Sequence, residues 1–208
     1  KMHTRAVSLA PQNVKIHCKL AEDYSALSQY EKEAETLQQA QNHAPDSLTL
    51  LRKERDAWLK IPDWKQAALI QKSILRIALH SDKDLERRRL GEIIYGSAIS
   101  YYGRGDGESA KAELKRAIKE SNSSLPPFVT LGDIYFKEDL RKDALKIWKA
   151  GYNKTKSPVC LQRLRGVGDD DMGKLCESGI RASRNSRDVV ILLATLFLEK
   201  GENEKAAR

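Results

Sequence analysis

The most constraining feature of this chain is a recurrence. Leu20-Ala21, Tyr24, Tyr30, Leu37, Ala40 and Pro45 stand at the same relative positions as Leu131-Gly132, Tyr135, Arg141, Trp148, Gly151 and Lys156, while Pro11 to Pro45 and Ala110 to Ala144 each span 34 residues. A period of that length describes one supersecondary unit that cannot bury its apolar face alone and must stack on copies of itself. The stretch LGDIYFKEDLRKDALKIW, residues 131 to 148, shows what the unit is. Its apolar spacing breaks at Glu138-Asp139, so a single amphipathic helix does not account for it. Two short helices with a tight turn between them do: Tyr135 points from the first, and Ala144 and Trp148, one turn apart, point from the second.

Composition agrees with a helical reading. Among 208 residues there are only 12 Gly and 6 Pro, and the recurrent Leu, Ala, Lys, Glu and Arg favour helix over sheet. The offsets resemble the tetratricopeptide pattern. That resemblance implies an all-α solenoid of antiparallel helical hairpins forming a right-handed superhelix. The small residue in the first helix is expected to let the second helix approach closely, and the aromatic three residues later to fill the gap between them. Carried along the chain, the register gives a single array over 1–208. Residues 1–10 close a preceding repeat, and repeats follow at 11–45, 46–80, 81–122, 123–157, a short degenerate 158–186 and a truncated 187–208. Trp58, Trp64, Ala67 and Ile74 mark the second unit; Ala98, Tyr101, Ala110, Leu114 and Ala117 mark the third. Nine extra residues separate them, HSDKDLERR, which the register assigns to a longer first helix in the third unit, with Ser81 and Asp84 as its capping pair. The fifth unit places Met172 and Gly179 at the small positions; the sixth starts at Leu193-Ala194 and Phe197 and continues to Gly201 and Ala206. Both ends fall inside repeats, so the chain is expected to belong to a longer protein.

Sharper chemical readings are weak. The segment YYGRGDGES, residues 101 to 109, lacks the lysine and preceding strand of a phosphate loop and reads as a turn between helices. In GDDDMGKLCES, residues 168 to 178, Lys174 occupies the sixth position counted from Asp169, where a calcium loop needs Gly, so the carboxylates read as a helix start. The histidines His3, His17, His43 and His80 are scattered, and Cys18, Cys160 and Cys176 form no C-x-x-C pair, so no catalytic residue, cofactor or metal ligand is assigned. A reducing, cytoplasmic setting is the expectation. The longest uncharged apolar run, Val189 to Leu198, is ten residues, about half a membrane span. The net charge of +8 comes from 37 basic residues interspersed with 29 acidic ones, the mark of a solvated helical surface. Lys83, Arg87, Arg88 and Arg89 form the densest basic cluster and spread around more than one helix face.

In a tetratricopeptide array the first helix of each hairpin lines a groove that holds extended or helical peptides. Its exposed positions are Lys15, Cys18, Lys19, Glu22, Arg52, Lys53, Asp56 and Lys60, which give a basic end, and Tyr95, Ile99, Tyr102, Val129, Asp133, Phe136, Ile191 and Leu198, which give an apolar-aromatic end. Glu22, Asp56 and Asp133 stand where repeats that clamp a terminal carboxylate carry Asn, which disfavours that partner class. Residues 86–164, with Leu131-Gly132-x-x-Tyr135 and a helix ending in Ala144 and Trp148, resemble the bacterial lipopolysaccharide assembly protein B family. The resemblance implies a non-catalytic adaptor for a protein partner, with a membrane anchor and a C-terminal metal knuckle elsewhere in the full protein. It further implies a place at the cytoplasmic face of the inner membrane. The chain departs from that family in carrying Tyr95-Gly96-Ser97-Ala98 where Cys-Glu-Leu-Ala is common. The competing class is a nucleic-acid- or polyanion-binding helical array, suggested by the net charge and disfavoured by the interspersed acids; oligomeric state is not legible.

Overall fold

The computed structural model describes residues 2–121, 123–167 and 187–199. Among the described residues every regular element is helical: α1 Met2–Leu9, α2 Val14–Ala26, α3 Tyr30–Gln41, α4 Leu48–Lys60, α5 Trp64–Ile77, a short 3₁₀ turn His80–Asp82, α6 Lys83–Gly103, α7 Gly107–Glu120, α8 Leu125–Lys137, α9 Arg141–Thr155, α10 Pro158–Val167 and α11 Arg187–Glu199. The helices gather into two compact units, Lys1–Ser121 and Asn122–Arg208. In the first unit each helix packs on its chain neighbours from α1 through α7; in the second α8 packs on α9, α9 on α10 and α10 on α11. Packing confined to successive helices is the signature of a solenoid. The fold is all-α, built of antiparallel hairpins of the tetratricopeptide kind: α2/α3, α4/α5 and α6/α7 stack in the first unit, and α8/α9 is the hairpin of the second.

One device closes all four hairpins. The backbone N–H groups of Gln29, Asp63, Asp106 and Leu140 donate to the carbonyls of Tyr24, Trp58, Tyr101 and Tyr135 at 2.9–3.0 Å. Each is a bond to a carbonyl five residues back, one that the helix end leaves orphaned. In three of the turns the preceding residue, Ser28, Gly105 or Asp139, takes the left-handed conformation with φ of 56°, 82° and 59°. Helix starts are fixed by side chains: Asn13, Ser47, Asp63 and Asp106 each accept a backbone N–H of the first turn. The Gly-Arg-Gly-Asp-Gly segment is therefore a turn, with Gly103 ending α6, Gly105 supplying the positive φ and Asp106 capping α7 through Ser109 N at 3.0 Å.

Small residues mark the close approaches. Ala34, Ala40, Ala57, Ala67, Ala98, Ala110, Ala117 and Ala144 are fully buried. Gly132 works differently from the sequence expectation. A Cβ there would overlap the indole of Trp148, which is 1 % exposed, so the gap belongs to the tryptophan of the second helix and Tyr135 is left half-buried beside it. Gly96 does the same for Trp64. At Gly151 a methyl group would stand 2.8 Å from Phe128 Cβ and 3.0 Å from Cys160 Sγ, nearer than close-packed atoms sit, so glycine lets α9 close on both neighbours.

The nine-residue insertion forms the 3₁₀ turn and the start of α6, which runs 21 residues against 13 for α2, α4 and α8. The expected Ser81–Asp84 capping pair is not made: Asp82 takes the N-cap position without a side-chain cap, and Ser81 Oγ donates to Asp82 Oδ1 at 3.1 Å instead. The 3₁₀ turn ahead of α6 leads straight into it, with the Lys83 N–H donating to the His80 carbonyl, so backbone bonding rather than a side chain starts the helix. The carboxylate run at 169–171, Met172, Cys176, Gly179, Gly201 and Ala206 lie outside the described residues.

Candidate functional site

On the first-helix face of the first unit, α2 presents Lys15, Lys19 and Glu22, and α4 presents Arg52, Lys53, Asp56 and Lys60. Spacings of three, four and seven keep each set on one side of its helix. Cys18, Glu22, Lys53, Asp56 and Lys60 converge with Ala21, Ser25, Glu33 and Leu37 around a cavity of about 210 Å³. Its floor is apolar, since Ala21 and Leu37 are core residues. Its rim is ionic. Glu22 accepts from Lys19 at 2.8 Å and from Lys53 at 3.2 Å, and Lys60 Nζ lies 2.7 Å from Glu33 and 2.8 Å from Ser25 Oγ. The hydrogen bond from Lys19 holds the Glu22 carboxyl below its ordinary range, and the same bond raises the Lys19 ammonium.

These pairs correct the expected basic end. Lys19 and Lys53 share Glu22, Lys60 pairs with Glu33, and Arg52 pairs with Glu86 at 2.7 Å, so most of the positive charge is offset and the rim mixes both signs. Sequence reasoning missed Glu33 and Glu86 because it drew only on exposed first-helix positions. A signal existed. Glu33 falls in step with Tyr30, Ala34 and Leu37, and Glu86 with Leu90 and Ile93; a carboxylate in an apolar helical stripe demands a buried partner.

Glu86 anchors a network across three helices. It is 1 % exposed; Oε1 accepts from Arg52 of α4, and Oε2 accepts from Gln71 of α5 at 2.7 Å. Gln71 Oε1 in turn accepts from Arg55 at 2.8 Å. Burial pushes the Glu86 carboxyl up, but the bonds from Gln71 and Arg52 and the charges of Arg52 and Arg55 outweigh it, so the group sits below its ordinary range. Glu54, one turn before Trp58 on α4, lacks this support. Its Oε2 is buried without a well-formed hydrogen bond among the described residues, and burial raises its carboxyl by more than the nearby Trp58 indole lowers it.

The expected apolar-aromatic residues are distributed over both units. In the first, Ile99 and Tyr102 are exposed on α6, while Tyr95 is half-buried against the core of Leu90, Ile93 and Ala67. In the second, Val129 packs on the core around Trp148 and Cys160, and Ile191 and Leu198 are exposed on α11. Phe136 is exposed, yet its ring stands 5.8 Å from that of Trp148 at a 48° tilt, so it braces the core as well as facing solvent. Asp133 is engaged by Arg163 of α10 at 2.9 and 3.1 Å, a fork that ties α8 to α10.

The remaining candidates are structural. His17 is buried, with Nδ1 3.1 Å from the Asn13 carbonyl and its ring 6.2 Å from that of His43, and His3 pairs with Asp23 at 2.6 Å. Burial pushes the Cys160 thiol up to about 11, which removes thiolate character. Among the described residues no His, Cys, Asp and Glu side chains gather into a metal-binding group, and no helix is long and apolar enough to cross a membrane.

No family model matches the chain, and no curated protein matches it. Solved structures are similar to it. The crystal structure of MamA is 17% identical over 73% of this chain and 84% of its own, with a TM-score of 0.43. YrrB, described as a tetratricopeptide protein with an unusual peptide-binding site, is 12% identical over 91% of this chain and 96% of its own, with a TM-score of 0.42. Pseudomonas aeruginosa pilF is 11% identical over 90% and 84%, with a TM-score of 0.44.

Proposed function

We propose that this chain is a non-catalytic protein-interaction scaffold that binds a peptide segment of its partner on the first-helix face of its hairpins. The observation that carries the reading is the cavity between α2, α3 and α4, where an apolar floor of Ala21 and Leu37 is ringed by Glu22, Lys53, Asp56 and Lys60. Such a rim suits a segment of mixed charge with a small apolar anchor, because each fixed charge orients a partner group while the floor supplies the burial. Lys15, Lys19, Arg52, Tyr95, Ile99 and Tyr102 extend that surface along the first unit. The equivalent residues of the second unit are Val129, Asp133, Phe136, Ile191 and Leu198.

The resemblance of residues 86–164 to the lipopolysaccharide assembly protein B family supports a narrower role as an adaptor regulating lipopolysaccharide synthesis from the cytoplasmic face of the inner membrane. Photo-crosslinking tests the site. A benzophenone side chain at position 22 should capture a discrete partner whose crosslinked peptide is identifiable by mass spectrometry, and one at position 88 should not. Capture from position 88 alone would move the site to the basic cluster of α6 and favour the polyanion reading.

A further inference from the structure

A second cleft opens on the other side of α6. Ser97, Ser100, Tyr101 and Arg104 of α6 line it, together with Trp64, Lys65, Leu69 and Lys72 of α5 and Glu113 and Arg116 of α7. At 100° per residue these α6 positions fall on the face opposite Tyr95, Ile99 and Tyr102. The cleft encloses about 500 Å³, in the range of sites that enclose a ligand or a few peptide side chains.

Its charge is unbalanced. The two carboxylates at its edge are already engaged, Asp63 capping α5 through Gln66 N at 3.0 Å and Glu113 accepting from Arg116 at 3.1 and 3.2 Å. Lys65 and Lys72 are exposed and have no carboxylate partner among the described residues. They are seven residues apart on one face of α5, roughly 10 Å along the axis, and Leu69, 50 % exposed, lies between them. An extended peptide covers that distance in about three residues. The cleft therefore fits carboxylates about three positions apart, flanking an apolar side chain that meets Leu69. Single-stranded nucleic acid fits poorly, because it needs open aromatic faces. Here the six-membered ring of Trp64 is seated on Gly96, and the Arg104 guanidinium covers Tyr101 at 4.9 Å.

We infer that the α5–α6–α7 cleft is a second docking site, on a separate face from the proposed groove, for an extended acidic segment of a partner protein carrying a central apolar residue. The probe is a fluorescein-labelled Gly-Asp-Glu-Leu-Leu-Asp-Glu-Gly peptide, with its Asn/Gln counterpart and labelled oligo-dT as comparisons. The acidic peptide should bind the intact chain, and Lys65→Glu with Lys72→Glu should weaken it about tenfold or more through like-charge repulsion. Lys53→Ala with Asp56→Ala, on the groove face, should leave it unchanged. Both lysines are exposed, so thermal melts should be unaffected. As an independent readout, the indole N–H signal assigned to Trp64 by its loss in Trp64→Phe should shift on titration, since Trp64 lines the cleft. The inference is overturned if the peptide does not bind, if the charge reversal leaves binding intact, if the Asn/Gln peptide or oligo-dT binds as well, or if the groove variant is the one that loses it. Failure here leaves the groove reading standing, because the two faces are tested by different variants.

Discussion

At the residue scale, the turn glycines separate conformation from space. Gly105 holds φ at +82°, a region where a Cβ is strained, whereas Gly103 is helical with open space around it. Gly105→Ala should lower stability by about 1 kcal/mol, and Gly103→Ala should raise it by roughly 0.5–1 kcal/mol; thermal melts that move the two midpoints the same way would contradict the turn assignment. The buried carboxylates make a second pair of opposites. Glu54 has its folded-state pKa raised by burial, so it binds its proton more tightly folded than unfolded. Its contribution is most favourable at acid pH and is lost as pH rises from the unfolded value of 4.5 through the raised folded value. Glu86 is lowered, so the stability it brings is present above the unfolded value and lost as pH falls below it. At neutral pH Glu54→Gln should therefore raise the melting midpoint. Glu86→Gln should lower stability by on the order of 2 kcal/mol, because charged hydrogen bonds from Arg52 and Gln71 are weakened inside the core. Chemical denaturation of both variants on either side of the shared unfolded value of 4.5, from roughly pH 3 to roughly pH 7, checks the signs: the Glu86 effect falls below that value and the Glu54 effect above it.

At the element scale, the helical hairpin was legible because its punctuation is local. The break at Glu138-Asp139, the glycine cluster at 103–107 and the 34-residue spacing all report backbone geometry directly. What packs into each gap was not legible, because it depends on partners in another helix. Sequence alone assigned the space at Gly132 to Tyr135, while the second helix sends Trp148 into it. The candidate site divides the same way. Helical periodicity brought Cys18, Glu22, Lys53, Asp56 and Lys60 to one face, but their charge balance turned on Glu33 and Glu86, which periodicity buried and only packing revealed as partners. The insertion before α6 illustrates the consequence. Its Glu86 is tied to both helices of the preceding hairpin through Arg52 and Gln71, so the extra turns of α6 are held by a buried polar network and not by a cap. Amide hydrogen exchange should show the first turns of α6 opening faster in Glu86→Gln, with α2 and α3 unchanged; uniform loss of protection across the first unit would mean that the network acts globally.

At the scale of the whole molecule, each hairpin serves two purposes. Its buried stripe joins the next helix, and its outward face adds to the surface of its unit, so a scaffold of this kind gains binding area with every repeat while asking little of any one of them. The exposed aromatic of α6 is where that surface should gain the most affinity, since aromatic anchors dominate interface energies and rim charges chiefly steer encounter. Tyr102→Ala should weaken partner binding by on the order of 2 kcal/mol. Phe136→Ala should cost stability as well, because its ring braces Trp148. The central claim is that the first-helix face binds peptide through mixed charge and an apolar floor, and titration of peptides recovered from a random library on the immobilised chain, and retained by Lys65→Glu with Lys72→Glu, tests it most directly. Between about 50 and about 200 mM salt the wild-type affinity should change little, where a phosphate-binding array would lose it steeply, and Lys53→Ala with Asp56→Ala should weaken binding about tenfold. Steep salt dependence together with full binding by that double variant would contradict the claim.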